Sequence, residues 1–166
     1  MTETSHVREI PLTQGLVALV DEAHLDRVSQ YTWTVLKIGE RQYAQAWNKG
    51  IGGHPILLHR FILNLDFGDP RQVDHINRNG LDCRDSNMRI ATSSQNHMNQ
   101  PKFTGTYSSR YKGVSWNKQR EKWEVYIQVD YKKIRLGFFN IEEDAARAYD
   151  KAAIEHYGEF AILNFP

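Results

Sequence analysis

A chain of 166 residues, 40% hydrophobic and 25% charged, has enough apolar material for one or two small cores and no apolar run long enough to span a bilayer. Its single cysteine, Cys83, excludes an internal disulfide and any Cys-rich zinc knuckle, and the seven histidines are scattered without a tight ligand spacing. The formal net charge of +1 conceals a strong polarity: residues 101–140 carry nine Lys/Arg against three Asp/Glu, and residues 141–166 carry two against six. A basic stretch beside an acidic one points to one face for phosphates and another for solvent.

The N-terminus, Met1 to His6, has neither a basic start nor an apolar run of the kind a secretion signal needs, so a protein that is not secreted is expected. From Val7 to Trp47, short apolar runs alternate with polar breaks. Arg8-Glu-Ile10, Leu16 to Val20, Tyr31 to Leu36 and Tyr43 to Trp47 read as strands, with a short helix in Asp21 to Gln30. Trp33 and Trp47 are expected in the core. Gly50 to Pro55 is a turn cluster, and Ile56 to Leu65 reads as an apolar helix carrying His59 and Arg60. His59 is expected to be buried and hydrogen-bonded, while Arg60 suits either a contact to a phosphate backbone or a salt bridge.

Next comes the densest chemistry of the chain: Val73-Asp-His-Ile-Asn77, the turn signal Asn79-Gly80, and Leu81-Asp-Cys-Arg-Asp-Ser-Asn-Met-Arg-Ile-Ala-Thr92. Thr92 and Gln95 make a capping box for a helix that ends before Pro101. The pattern is strand, loop, strand, helix. Histidine is the side chain whose ordinary pKa best suits activation of water near neutral pH, and hard cations prefer oxygen ligands. His75 and Asp74 supply that pair. On a regular strand the two would point to opposite faces, so either the strand ends there or the group they act on lies between them; a strand end is expected. On the helix, Asn96 and Asn99 share a face, whereas His97 projects about 100° away from Asn96. That places His97 at the surface or on a phosphate.

These residues, with Leu58-His-Arg60 upstream and Ser94-Gln-Asn-His-Met-Asn99 downstream, resemble the HNH endonucleases of phages and mobile introns from about Leu58 to Gln100. The resemblance implies a ββα-metal core (about residues 71–100) inside a nuclease domain of residues 1–100. It makes Asp74 and Asn96 metal ligands, His75 the general base and Asn87 the brace of the loop. Mg²⁺ or another divalent cation such as Mn²⁺ is the implied cofactor. Cys83 stands where the family often has asparagine.

Gln100 to Tyr107 reads as a linker, so a boundary is expected at residues 101–108. Beyond it, Lys122 to Val129 alternates strictly, with Trp123, Val125, Ile127 and Val129 on one face. Tyr111 to Trp116 and Lys132 to Phe139 complete a three-stranded antiparallel meander. Asn140 and Glu143 form a capping box for a helix over 141–157, stopped by Gly158 and lined with alanines. Trp116 and Trp123 are expected mainly in the core.

Tyr111-Lys-Gly-Val-Ser-Trp116, Lys122-Trp-Glu-Val-Tyr-Ile127, Leu136-Gly-Phe-Phe139, Ala145 to Ala153 and Leu163-Asn-Phe-Pro166 resemble the AP2 DNA-binding domain over residues 109–166. The resemblance implies a sheet laid on duplex DNA with a helix packed behind it. It points to Lys112, Ser115, Asn117, Tyr126, Gln128, Lys133 and Arg135 on the DNA side, and phosphate binding falls to Lys112, Lys118, Lys133 and Arg135.

The expectation is thus an α+β, two-part DNA endonuclease of phage or mobile-element homing or nicking type. It is expected in the cytoplasm of a bacterial or phage-infected cell, as a monomer without an obligate protein partner. The alternatives are a catalytically inactive DNA-binding regulator and an RNA-binding module.

Overall fold

The computed structural model describes residues 6–47, 53–102 and 105–166. The beginning of the expected turn cluster at Gly50 and residues 103–104 of the expected linker lie outside them. The chain is α+β, with several small antiparallel sheets and few helices. It divides into two units, Met1–Thr92 and Ser93–Pro166.

In the first unit, β1 (Val7–Pro11) pairs with β2 (Val17–Asp21). A 3-10 turn at Glu22–His24 leads into α1 (Leu25–Val28), shorter than the helix expected over Asp21 to Gln30. A three-stranded sheet follows, ordered β3 (Thr34–Ile38), β4 (Arg41–Trp47), β5 (Pro55–Leu57). The helix expected from Ile56 is therefore corrected. Residues 55–57 pair with Gln45–Trp47, and only Leu58–Ile62 form α2, because strand pairing satisfies the backbone before the helix can start. β6 (Gln72–His75) and β7 (Met88–Ala91) form a separate antiparallel pair.

Val20, Val28, Trp33, Leu58, Ile62 and Cys83 lie in the core of this unit. Trp47 does not. It is 62% exposed at the last position of β4, on the face opposite the one that Ala44 and Ala46 turn to the core.

The second unit opens with α3 (Ser93–Met98) and continues into the sheet β10 (Lys132–Phe139), β9 (Lys122–Val129), β8 (Val114–Asn117), in that spatial order. Helix α4 (Glu142–Tyr157) packs on all three strands, its Ala145, Ala146, Ala152 and Ala153 letting it sit close to Val125 and Ile127. Gly113 enters β8 with φ +77°, and a Cβ there would stand 2.1 Å from the Tyr149 ring, so both backbone and space require glycine.

Two expectations about this unit are corrected. Ile141, not Asn140, caps α4, and no side-chain cap bond forms. Glu143 accepts the Tyr111 hydroxyl at 3.5 Å, and the acidic first turn meets the helix dipole directly. Trp116 lies at the end of β8, 38% exposed and edge-on to the half-buried Trp123 at 5.0 Å. The short strand carries it past the rim of the core.

Candidate active site

Asp74 and His75 are the last two residues of β6, so the strand does end at the pair. Both are buried although a strand turns them to opposite sides. Asp74 lies opposite Arg89 in the register, and His75 opposite Met88. Arg89 Nε donates to Asp74 Oδ2 at 2.8 Å, and a terminal guanidinium nitrogen reaches the same oxygen at 2.7 Å. No motif in the sequence singles out Arg89. Its pairing follows from register across a twelve-residue connection, which no local pattern fixes.

The His75 ring sits in an aromatic enclosure. His59, from α2, meets it edge-on with ring centroids 5.1 Å apart and planes at 89°. Tyr43, from β4, stands 5.6 Å from His59 and 6.2 Å from His75. Gly80 makes this possible: a Cβ there would lie 2.4 Å from the Gln42 carbonyl and 2.6 Å from the Tyr43 ring. Burial pushes the pKa of His75 down, against the pull of the Asp74 and Asp82 charges, which leaves the ring neutral at pH 7. Burial above all, then the charge His75 would carry once protonated and that of the neighbouring Arg60, push His59 down to about 3. The expectation for His59 is half corrected. It is buried, but among the described residues its Nδ1 has no hydrogen-bond partner.

The connection after β6 is held by asparagines. Asn87 Oδ1 accepts the Asn77 amide at 2.9 Å, while its Nδ2 donates to Asn77 Oδ1 at 3.0 Å and to the Asp82 carbonyl at 2.7 Å. Asn77 Nδ2 donates to Asp82 Oδ2, and Arg84 grips the same carboxylate through two bonds of 2.7 and 2.6 Å, which holds Asp82 below the usual carboxylate range. Backbone bonds of Leu19 to Leu81 and Cys83 fasten the loop to β2. Cys83 is wholly buried and its thiol is pushed up to about 12, so it packs and does not react.

Among the described residues Arg60 makes no salt bridge. Its guanidinium donates to the carbonyls of Asp66, Asp69 and Arg71 and shapes the turn before β6.

A third group in this unit, Asp21, His24 and Asp85, has ligand atoms within 4.8 Å of one another. These atoms already serve one another. His24 Nε2 lies 2.9 Å from both oxygens of Asp85, and Asp21 accepts the Asp85 amide at 2.7 Å. The cluster ties the loop to β2.

In the second unit, Asn96 is half-buried on α3, His97 is exposed with Nδ1 on the Ser93 carbonyl at 2.9 Å, and Asn99 is buried just beyond the helix. On the sheet, the surface opposite α4 is built around Glu124. This carboxylate accepts the Tyr126 hydroxyl at 2.7 Å, Asn117 Nδ2 at 3.2 Å and Arg135 Nε at 3.2 Å, and these contacts hold it below the usual range. Lys133 Nζ stands 3.9 Å above the Tyr126 ring. Ser115, Lys118 and Gln128 are exposed. Lys112 is employed otherwise: its ammonium donates to the Met98 and Gln100 carbonyls at 2.8 and 2.6 Å. Lys102 answers it by donating to the carbonyls of Ser109, Tyr111 and Val114. The two lysines cross-brace residues 98–102 and 109–114, a role that spacing in the sequence does not announce.

The chain is similar to an uncharacterized HNH endonuclease of Acanthamoeba polyphaga mimivirus, 31% identical over 155 residues, which cover 91% of this chain and 76% of that protein. It therefore belongs to the HNH endonuclease family. It is also similar to APETALA2-like protein 2 of Oryza sativa, 43% identical over 58 residues, 35% of this chain and 13% of that one. An AP2-like ethylene-responsive transcription factor of Arabidopsis thaliana is 28% identical over 99 residues, 60% of this chain and 28% of its own length. No family model matches the sequence. Among the described residues no helix is long and apolar enough to cross a membrane.

Proposed function

We propose that the protein is a metal-dependent endonuclease that hydrolyses phosphodiester bonds of duplex DNA, of the phage or mobile-element homing or nicking type. One observation carries the reading: a buried, ring-enclosed His75 next to a buried carboxylate at the end of a strand, in a chain of the HNH family. In this reading β6, β7 and α3 are the elements of the ββα-metal core, residues 101–108 link the two parts, and β8 to β10 with α4 are an AP2-type module for duplex DNA.

The donor chemistry fits a hard divalent cation, Mg²⁺ or Mn²⁺. Asp74 offers a carboxylate that already attracts a cationic group, Arg89, and Asn96 offers an amide oxygen. The assignment of Asn96 rests on the order of the motif. When bound, such an ion would supply positive charge for the phosphoryl and leaving oxygens. His75 takes a proton from the attacking water as the new P–O bond forms and the bond to the leaving oxygen breaks. Asn87 keeps the loop after His75 in one conformation. Lys118, Lys133 and Arg135 meet phosphates, and Ser115, Asn117, Tyr126 and Gln128 face the groove.

A second reading, a DNA-binding regulator without catalysis, is favoured by the ion pair that already occupies Asp74. Incubation with supercoiled plasmid, with Mg²⁺, Mn²⁺ or EDTA, separates the two. Nicked or linear product that requires metal and disappears in His75→Ala supports the nuclease, and a nicked form alone marks single-strand cutting. Plasmid that is shifted on a gel but uncut in every lane leaves the regulator.

A further inference from the structure

His59 is buried where an apolar residue would pack without penalty. Its α2 neighbours Leu58 and Ile62 are core residues, and the Tyr43 and His75 rings wall it in. Its Nδ1 is sealed from solvent and has no hydrogen-bond partner among the described residues. Buried polar atoms without a partner are uncommon in folded proteins, because desolvation is not repaid. Arg60, the adjacent side chain, cannot supply an acceptor and is committed to three carbonyls elsewhere. Among the described residues, then, no protein group serves as the partner of Nδ1. Buried waters in folded proteins commonly serve polar groups that the chain leaves unmatched. Because burial keeps His59 neutral, its ring offers one donor and one acceptor and adds no charge beside His75.

Building on the reading of His75 as the general base, we propose that His59 is a positioning residue of the nuclease reaction: with an ordered water on its Nδ1 and its ring edge-on to His75, it holds the His75 imidazole in the orientation that accepts the proton. A ring of the same size without nitrogen keeps the packing and loses the water. A proton acceptor free to swing forfeits part of the rate that a positioned base supplies.

Two measurements on the full-length protein test this. In plasmid cleavage with Mg²⁺, His59→Phe is expected to lower kcat by at least ~10-fold, with KM for DNA and Tm close to wild type, and His59→Gln to recover part of the loss. Wild-type kcat in His59→Phe would overturn the proposal, as would an equal loss in both variants that tracks Tm. Nitrogen-15 imidazole spectra of the wild type give a readout independent of activity. A His59 Nδ1 shift typical of a hydrogen-bonded ring nitrogen is expected, and the shift of an unbonded nitrogen overturns the water. Those spectra decide the matter if His59→Phe fails to fold. Wild type beside His75→Ala reports on the nuclease reading by itself. Metal-dependent, His75-dependent cutting with unaltered His59→Phe sinks the His59 role alone, and a wild type that cuts nothing sinks both.

Discussion

Asp74 and Arg89 face each other across the β6–β7 pair, and two guanidinium nitrogens of Arg89 converge on a single oxygen of Asp74. Their side chains are only 4% and 13% exposed. Removing one partner of a buried pair commonly costs about 3–5 kcal/mol, because the other charge is left uncompensated. Arg89→Met should therefore melt well below wild type in EDTA. It should also gain more than wild type from Mg²⁺ or Mn²⁺, since the cation then meets a carboxylate without a competing guanidinium. Thermal denaturation of both proteins with and without metal is the check, and equal metal shifts would show that Arg89 and the ion do not share Asp74.

Acid stability should carry the mark of His59. Burial lowers its pKa from 6.5 to about 3, so below pH 6.5 the unfolded chain binds a proton that the folded chain refuses until about pH 3. Stability from this group therefore falls as pH drops through that window, by up to about 1.4 kcal/mol per pH unit, and is unaffected above it. His75, also lowered by burial, acts in the same direction. The lowered carboxylates act elsewhere: Asp69 and Asp82 start from 3.8, Glu22 and Glu124 from 4.5, and their stabilisation is lost only as pH falls through those values and below. Urea denaturation between pH 7 and 5 should give a flatter stability curve for His59→Phe than for wild type.

Asn87→Ala should loosen the whole connection after β6. The change leaves the Asn77 amide, Asn77 Oδ1 and the Asp82 carbonyl without the bonds that Asn87 now makes. At about 1–3 kcal/mol for a buried polar group left unmatched, a loss of roughly 2–4 kcal/mol is expected, measured by chemical denaturation. Hydrogen exchange should quicken in residues 76–87, and protection unchanged there would count against the brace.

The two roles of lysine in the second unit can be told apart by salt. Lys133→Ala and Lys118→Ala should each weaken DNA binding and reduce the slope of log affinity against log salt by about 0.9, the value for one lost phosphate contact. Lys112→Met should leave that slope unchanged and lower Tm instead, because the Met98 and Gln100 carbonyls lose their donor. A Lys112 variant that changes the slope and keeps its Tm would restore that residue to the DNA side.

The sequence by itself determined the local patterns. The period-two run Lys122–Val129, the alanines of α4 and the pair Asp74-His75 at a strand end were legible, because periodicity and a dense polar phrase are carried by neighbouring residues. It did not determine where Trp47 points, since strand phase is set by which face meets the core. Nor did it determine that Ile56 joins a sheet before α2 begins. Only the tertiary structure decided that Arg89 neutralises Asp74, that His59 and Tyr43 enclose His75, and that Lys112 grips two carbonyls. Each of these joins residues from different elements, and their meeting is fixed by sheet register and core packing, quantities that belong to the folded chain as a whole.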